Sequence, residues 1–220
     1  MPTAKERLSH LLELAAQGAG ERAHLADEVA ELLLDWPPQY PEGMRATFTA
    51  LLEKIVREMA GPNRAALAAR FRDREDFPLS LLNEFFLFAP APMKDAILAR
   101  NDTQGPADGV AVEAEALLHA ARTADDFAAA LAHIAGLPPA IASAMLSDPS
   151  ARGLATLARA AGINRATFSA MAILAGPARS VHENFAMLDV FDAVPENGAR
   201  HLVAFWRARG DGPATVERAA

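Results

Sequence analysis

Histidine is the residue type in this sequence that can take part in the most kinds of chemistry, because an imidazole can bind a metal, move a proton or accept a phosphoryl group. The six histidines are His10, His24, His119, His133, His182 and His201. No two are three or four residues apart, so no pair can bind a metal ion from one face of a helix. His24 has polar neighbours and lies off the apolar stripe of its segment. It is the best-placed candidate for phosphotransfer on a helical bundle, and the alternative is a solvated surface histidine.

Other catalytic signatures are absent from the sequence. Without cysteine there is no thiolate metal ligand, no disulfide and no thiol nucleophile. The short glycine-rich stretch at 18–20 lacks the third glycine and the preceding strand of a phosphate-binding loop, and no zinc helix, calcium loop or nucleophile elbow is present. Asp125 and Asp126 are placed to favour the positive end of a helix dipole, and Glu183 is explained as a helix cap. The sequence therefore predicts no catalytic residue, no metal site and no cofactor.

A group of arginines suggests nucleic-acid binding as an alternative function. Residues 157–175 follow the residue pattern of a helix-turn-helix. The surrounding segment 149–179 carries four arginines and no acidic residue. Arg152, Arg159 and Arg165 are the candidates for contacts with phosphates or bases. The would-be recognition helix is mostly apolar, however, and carries Phe168 and Met171. A buried helix within a helical repeat is therefore the favoured interpretation of this segment.

The composition predicts the elements that position these side chains. Ala fills 51 of the 220 positions, whereas Val and Ile together fill 15, so helix formers greatly outnumber strand formers. The formal net charge of -7 argues against wholesale binding to nucleic acid or to an anionic membrane. The longest charge-free stretch, residues 127–147, is interrupted by Gly136 and Pro138, so it predicts two short helices and no membrane span. The charged amino-terminal stretch predicts a cytoplasmic protein.

The apolar periodicity predicts an all-α fold of roughly a dozen short helices. We expect an amino-terminal helical bundle over residues 1–100, a loop rich in turn formers over 101–109 and a carboxy-terminal array of stacked helical hairpins over 110–220. The run 81–88 is apolar almost all round, which predicts burial on several sides. The alternative is an exposed face through which Phe85, Phe86 and Phe88 bind a partner. If either this run or the helix around Trp206 is left exposed, it could also form a homodimer.

An internal repeat supports the hairpin array. Residues 135–145 and 161–171 share Ala, Gly, an aliphatic residue, Ala, Ser, Ala and Met at matching positions, with an offset of 26 residues. In each copy a helix ends at a glycine, which can take the left-handed conformation at a helix carboxyl end, and a second helix starts soon after it. Helical hairpins of this kind bury their faces against neighbouring hairpins.

Three segments of the chain are rich in leucine, alanine and arginine. They are residues 11–34, residues 64–71 followed by Pro78, and residues 199–209 with Phe205-Trp206-Arg207. These segments resemble an uncharacterised bacterial helical family, catalogued as domain of unknown function 2336. The resemblance implies stacked helical hairpins of the HEAT type, and it carries over no site residues because the family has no assigned activity. The central repeats of that family are shortened here, which favours a compact two-part helical domain over a long solenoid.

These observations favour a non-catalytic scaffold or adaptor that binds another protein, because helical arrays present extended surfaces and the sequence lacks catalytic motifs. Nucleic-acid binding through Arg152, Arg159 and Arg165 is the first alternative, and it predicts salt-sensitive retention on duplex DNA. Phosphotransfer through His24 is the second, and it predicts an acid-labile phosphoprotein.

Overall fold

Every regular element that the structure describes is an α-helix, as the composition predicts. The computed structural model describes residues 19–72, 74, 76–107, 123–174 and 180–208, and this part of the chain contains eleven helices and no strand. They are α1 (Ala19–Leu34), α2 (Glu42–Glu58), α3 (Gly61–Arg70), α4 (Leu79–Phe85), α5 (Ala91–Asp102), α6 (Ala124–Ala135), α7 (Pro139–Leu146), α8 (Arg152–Ala160), α9 (Arg165–Leu174), α10 (Val181–Ala193) and α11 (Glu196–Ala208). The predicted all-α fold is confirmed. Among these helices, none is long and apolar enough to cross a membrane.

The chain divides into two compact units, and the division falls between Ala89 and Pro90. The first unit holds α1 to α4, and the second holds α5 to α11. The sequence instead suggested a division at the loop 101–109, after α5. Helix α5 contacts α8 and α11, because Met93, Ile97 and Leu98 give it an apolar face that is buried in the second unit.

Aromatic side chains fill the core of the first unit. The largest apolar residues buried there include Phe48, Phe71, Phe77, Phe85 and Phe86. Phe88 is half-buried, and the guanidinium of Arg64 lies 5.1 Å from the centroid of its ring. Helix α4 contacts both α2 and α3, so the apolar run 81–88 is enclosed from several sides. The predicted burial is confirmed for residues 81–86, whereas Leu87 and Phe88 are half-buried.

Helix α8 is the centre of the second unit and contacts α5, α6, α7, α10 and α11. Nearly all of its residues are buried. Glycines bring two helix pairs of this unit into close contact. A Cβ on Gly153 would lie 2.9 Å from the backbone of Met145, and a Cβ on Gly198 would lie 2.3 Å from the carbonyl oxygen of Leu98. The pairs α8–α7 and α11–α5 therefore meet backbone to backbone at these glycines.

The two copies of the internal repeat form the same turn. Gly136 and Gly162 are both left-handed, with φ of 64° and 67°. In each copy the N–H of the next residue, Leu137 or Ile163, donates to the carbonyl five residues earlier over 2.9 Å. Both of these aliphatic side chains are buried. The repeat is thus present in the backbone, whereas stacking of the HEAT type stays a prediction.

Candidate functional site

A buried ion pair joins α5 to the loop that precedes α8. Nζ of Lys94 lies 2.8 Å from Oδ2 of Asp148, and the two side chains are only 5% and 7% exposed. The same carboxylate accepts the N–H of Gly153 at 2.9 Å and both the N–H and the hydroxyl of Ser150 at 2.8 to 3.0 Å. Asp148 therefore lies at the amino-terminal end of α8, where the helix dipole stabilises negative charge.

The protonation state of Asp148 follows from these contacts. Burial raises its pKa, but the hydrogen bond and charge of Lys94, together with the donors from Gly153 and Ser150, outweigh burial and hold the pKa of Asp148 below its ordinary value. The carboxylate of Asp148 is thus held by Lys94 from α5 and by the donors of Ser150 and Gly153, and the pair fixes the loop before α8.

Arg152 lies in the first turn of α8 and forms a bidentate ion pair with Asp95 of α5. Its Nε and Nη2 lie 2.6 Å and 2.8 Å from the two carboxylate oxygens. These hydrogen bonds raise the pKa of Arg152 above its ordinary value, although burial opposes the effect. A bidentate pair of this kind fixes the guanidinium plane and neutralises its charge. Arg152 and Asp95 together form part of one wall of a groove.

The groove lies between α5 and α10 and has a volume of about 530 Å³. Its apolar lining consists of Leu98, Ala99, Val190, Ala193, Val194 and Pro195. Its polar lining consists of Asp95, Asp102, Arg152 and Asp189. We call this feature the α5–α10 groove. A smaller depression of about 170 Å³ shares Val190 with it and reaches Glu183 near the start of α10.

The polar rim of the α5–α10 groove is mainly acidic. Arg152 is neutralised by Asp95, and Asp102 accepts the N–H of Gly198 at 3.1 Å. Asp189 is exposed and has no ion-pair partner within the described part of the chain. The groove therefore combines an apolar lining with a net negative charge at its edge.

The other two arginines named by the sequence are held within the second unit. Nε of Arg159 donates to the carbonyl of Val194 at 3.1 Å, and its guanidinium lies 5.4 Å from the ring centroid of Phe191. Arg165 lies 3.0 Å from a carboxylate oxygen of Asp192. With Arg152 paired as well, each predicted nucleic-acid contact has a partner inside the protein. Phosphate recognition depends on positive charge that is available at the surface.

The remaining candidates belong to the first unit. His24 is exposed on α1, and no side chain in the described part of the chain hydrogen-bonds its ring. Phe85 and Phe86 are fully buried and Phe88 is half-buried, which corrects the alternative of an exposed aromatic face. Within the described ranges, no group of three or more His, Asp or Glu side chains is arranged to hold a metal ion.

Three acidic residues outside the groove lining have structural roles. Asp126 completes a capping box with Thr123 at the start of α6. Glu183 does the same with Ser180 at the start of α10, as the sequence predicts. In the first unit, buried Glu84 accepts Nε of Arg57 at 2.9 Å. Burial raises the pKa of Glu84 although the charge and hydrogen bond of Arg57 oppose the shift.

The α5–α10 groove was not found from the sequence because its residues are distant along the chain. Asp95 and Arg152, which both line it, are 57 residues apart. One local signal was available. The stretch Asp148-Pro149-Ser150 before a helix is typical of a turn whose first carboxylate binds backbone N–H groups.

Comparison with known proteins gives a match over part of the chain. No curated protein and no solved structure matches it. The matched range, residues 111–200, includes both copies of the repeat and the α10 wall of the groove, whereas the resemblance in the sequence was based mostly on segments outside this range. Residues 111–200 match the model of a family described as "Uncharacterised protein conserved in bacteria (DUF2336)", so the predicted resemblance to this bacterial family is confirmed there.

Proposed function

We propose that this chain is a non-catalytic protein-interaction module and that the α5–α10 groove is its binding surface. The observation that carries the proposal is the combination of an apolar lining of six residues with an acidic rim in one groove of about 530 Å³. Binding clefts in proteins have volumes of about 300 to 1,000 Å³ and pair apolar walls with a few polar groups. Helical surfaces of this shape commonly receive a segment of another protein.

The charged residues around the groove support binding over catalysis. Lys94 and Asp148 satisfy one another inside the protein, and Arg152 is held by Asp95. A catalytic acid, base or nucleophile has to reach the substrate and to have a suitable pKa. Asp95 and Arg152 form part of the groove wall instead, and Lys94 and Asp148 fix the loop before α8.

The alternatives have less support. Nucleic-acid binding would require the phosphates to displace carboxylates from Arg152 and Arg165 and to approach an acidic rim. For phosphotransfer through His24, the supporting observation is that this side chain is exposed. A cytoplasmic location and homodimer formation stay predictions of the sequence.

A blocking substitution tests the proposal. Ala193 is exposed and lines the groove, so Ala193→Trp would fill it without disturbing the core. Ala129, exposed on α6, provides the matched control Ala129→Trp. Immobilised wild-type chain and both variants would be exposed to lysate of the organism that encodes the protein, at near-physiological salt.

The expected result is a discrete protein that wild type and Ala129→Trp retain and that Ala193→Trp loses. If the wild type retains no protein, the interaction proposal is wrong. If Ala193→Trp retains the same protein as well as the wild type does, the groove is not the binding surface.

A further inference from the structure

We infer that the segment bound in the α5–α10 groove is an amphipathic helix with lysine or arginine residues along the edges of its apolar face. This inference rests on the proposed function and specifies the chemistry of the partner. It follows from the arrangement of charge on the two walls of the groove and from an exposed aromatic side chain on α10.

Carboxylates lie on both walls. Asp95 and Asp102 are seven residues apart on α5, which places them on one face two turns apart, and Asp189 belongs to α10. The guanidinium of Arg152 is the positive charge of the groove lining and is already neutralised by Asp95. An occupant with acidic side chains would therefore meet repulsion on either side, and one with basic side chains would meet attraction.

The size of the surface fits a short helix. Groove and adjoining depression together follow α10 from Glu183 to Ala193, a distance of roughly 15 Å at the helical rise per residue. The lining along this path consists of small and medium apolar side chains such as Ala186, Val190 and Ala193. A row of small side chains lets the apolar face of a second helix approach closely.

Phe185 adds a contact for a basic side chain at the edge of this surface. It is 63% exposed, and it is the large apolar side chain that the described part of the chain leaves in solvent. It precedes Asp189 by four residues, so the ring and the carboxylate are neighbours on α10. A lysine or arginine between them would gain attraction from the carboxylate and from the aromatic face.

Three synthetic helical peptides provide the probes. They share one leucine and alanine face, and their remaining positions are lysine, glutamine or glutamate. Affinity would be measured by fluorescence anisotropy for the wild-type chain and for Asp102→Asn/Asp189→Asn. The matched control is Glu28→Gln/Glu31→Gln, which removes two exposed charges from α1 in the first unit.

The lysine peptide should bind the wild type more tightly than the glutamine peptide, and the glutamate peptide should bind least. The groove double variant should weaken the lysine peptide by about twofold to thirtyfold, the range expected for losing two surface ion pairs. The control double variant should leave the affinity within twofold, an allowance of about 0.4 kcal/mol. Phe185→Ala should also weaken binding without lowering the melting temperature, because the ring is exposed.

Several results would overturn the inference. Equal affinity for the lysine and glutamine peptides would remove the role of charge, and equal losses in the groove and control variants would show general attraction to an acidic protein. If light scattering shows a dimer that Ala193→Trp dissociates, the occupant is a second copy of the chain. A third outcome separates the two proposals. If Ala193→Trp abolishes capture of a lysate protein but the three peptides bind with equal affinity, the proposed function stands and the inference of a basic helix is refuted.

Discussion

The contact between α5 and α11 offers a sharp test of how the second unit is built. Gly198 lies in the first turn of α11 and faces the backbone of α5. In Gly198→Ala, the new Cβ would lie 2.3 Å from the carbonyl oxygen of Leu98 and 3.2 Å from the backbone nitrogen of Asp102. Backbone atoms cannot rotate out of the way as the end of a side chain can. Helix α11 must therefore move away from α5.

The size of the effect follows from this geometry. Cβ atoms essentially never approach another heavy atom to under 3.0 Å, so the helices must separate by at least about 0.7 Å. Overpacking against a rigid neighbour costs up to about 3 kcal/mol. Stretching the hydrogen bond from Gly198 to the carboxylate of Asp102 costs about 1 kcal/mol more, and the better helix propensity of alanine returns about 1 kcal/mol. We expect a net loss of about 3 kcal/mol.

Tryptophan fluorescence can report this loss. The sequence contains two tryptophans, and Trp206 is 4% exposed on α11 while Trp36 belongs to the first unit. In a Trp36→Phe background, urea unfolding followed by fluorescence therefore reports the second unit alone. The control is Gly43→Ala in α2, followed by circular dichroism, because a Cβ there meets nothing within 4 Å. This control should be neutral or slightly stabilising.

A loss of less than about 0.5 kcal/mol in Gly198→Ala would refute the reasoning, because it would mean that α11 and α5 do not meet backbone to backbone. A loss that is equal in Gly198→Ala and Gly43→Ala would refute it as well. In that case the effect would belong to alanine in a first turn and not to the contact.

Further predictions concern buried charge and the repeated turn. Burial raises the pKa of Glu84, so the stability that its protonated carboxyl contributes is present at low pH and falls as pH rises from about 4 through the raised pKa. Urea titrations at several pH values should show this fall in the wild type and not in Glu84→Gln. Lys94→Met should destabilise the second unit by about 3 to 5 kcal/mol in the same fluorescence assay, since Asp148 would remain as a buried unpaired charge, and a loss below about 1 kcal/mol would contradict this. Gly136→Ala and Gly162→Ala should each cost about 1 to 2 kcal/mol for the left-handed backbone. Gly136→Ala should cost more in thermal unfolding, because its Cβ would also lie 3.1 Å from an arginine nitrogen, and the reverse order would contradict the reasoning.

Some parts of the candidate site could be predicted, and others could not. Glu183 is a cap because the partner it needs, Ser180, is three residues away. The sequence singled out Arg152 for its charge, and Arg152 does lie at the groove. Its assigned role was contact with a partner, whereas the structure pairs it with Asp95 of another helix. Arg165 was likewise chosen for charge, and its neighbour Asp192 belongs to a helix later in the chain.

The sequence by itself determined the features that depend on neighbours within about five residues, such as the helices, the caps and the two glycine turns at Gly136 and Gly162. The tertiary structure decided which charged side chains form ion pairs with one another. Whether Arg152 is a free cation or half of an ion pair depends on α5 lying beside α8, and that packing is set by the burial of apolar residues of α5 such as Met93, Ile97 and Leu98. Side chains more than 50 residues apart carry no mark of their contact in a single sequence, because the free energy that joins them arises from packing of whole helices.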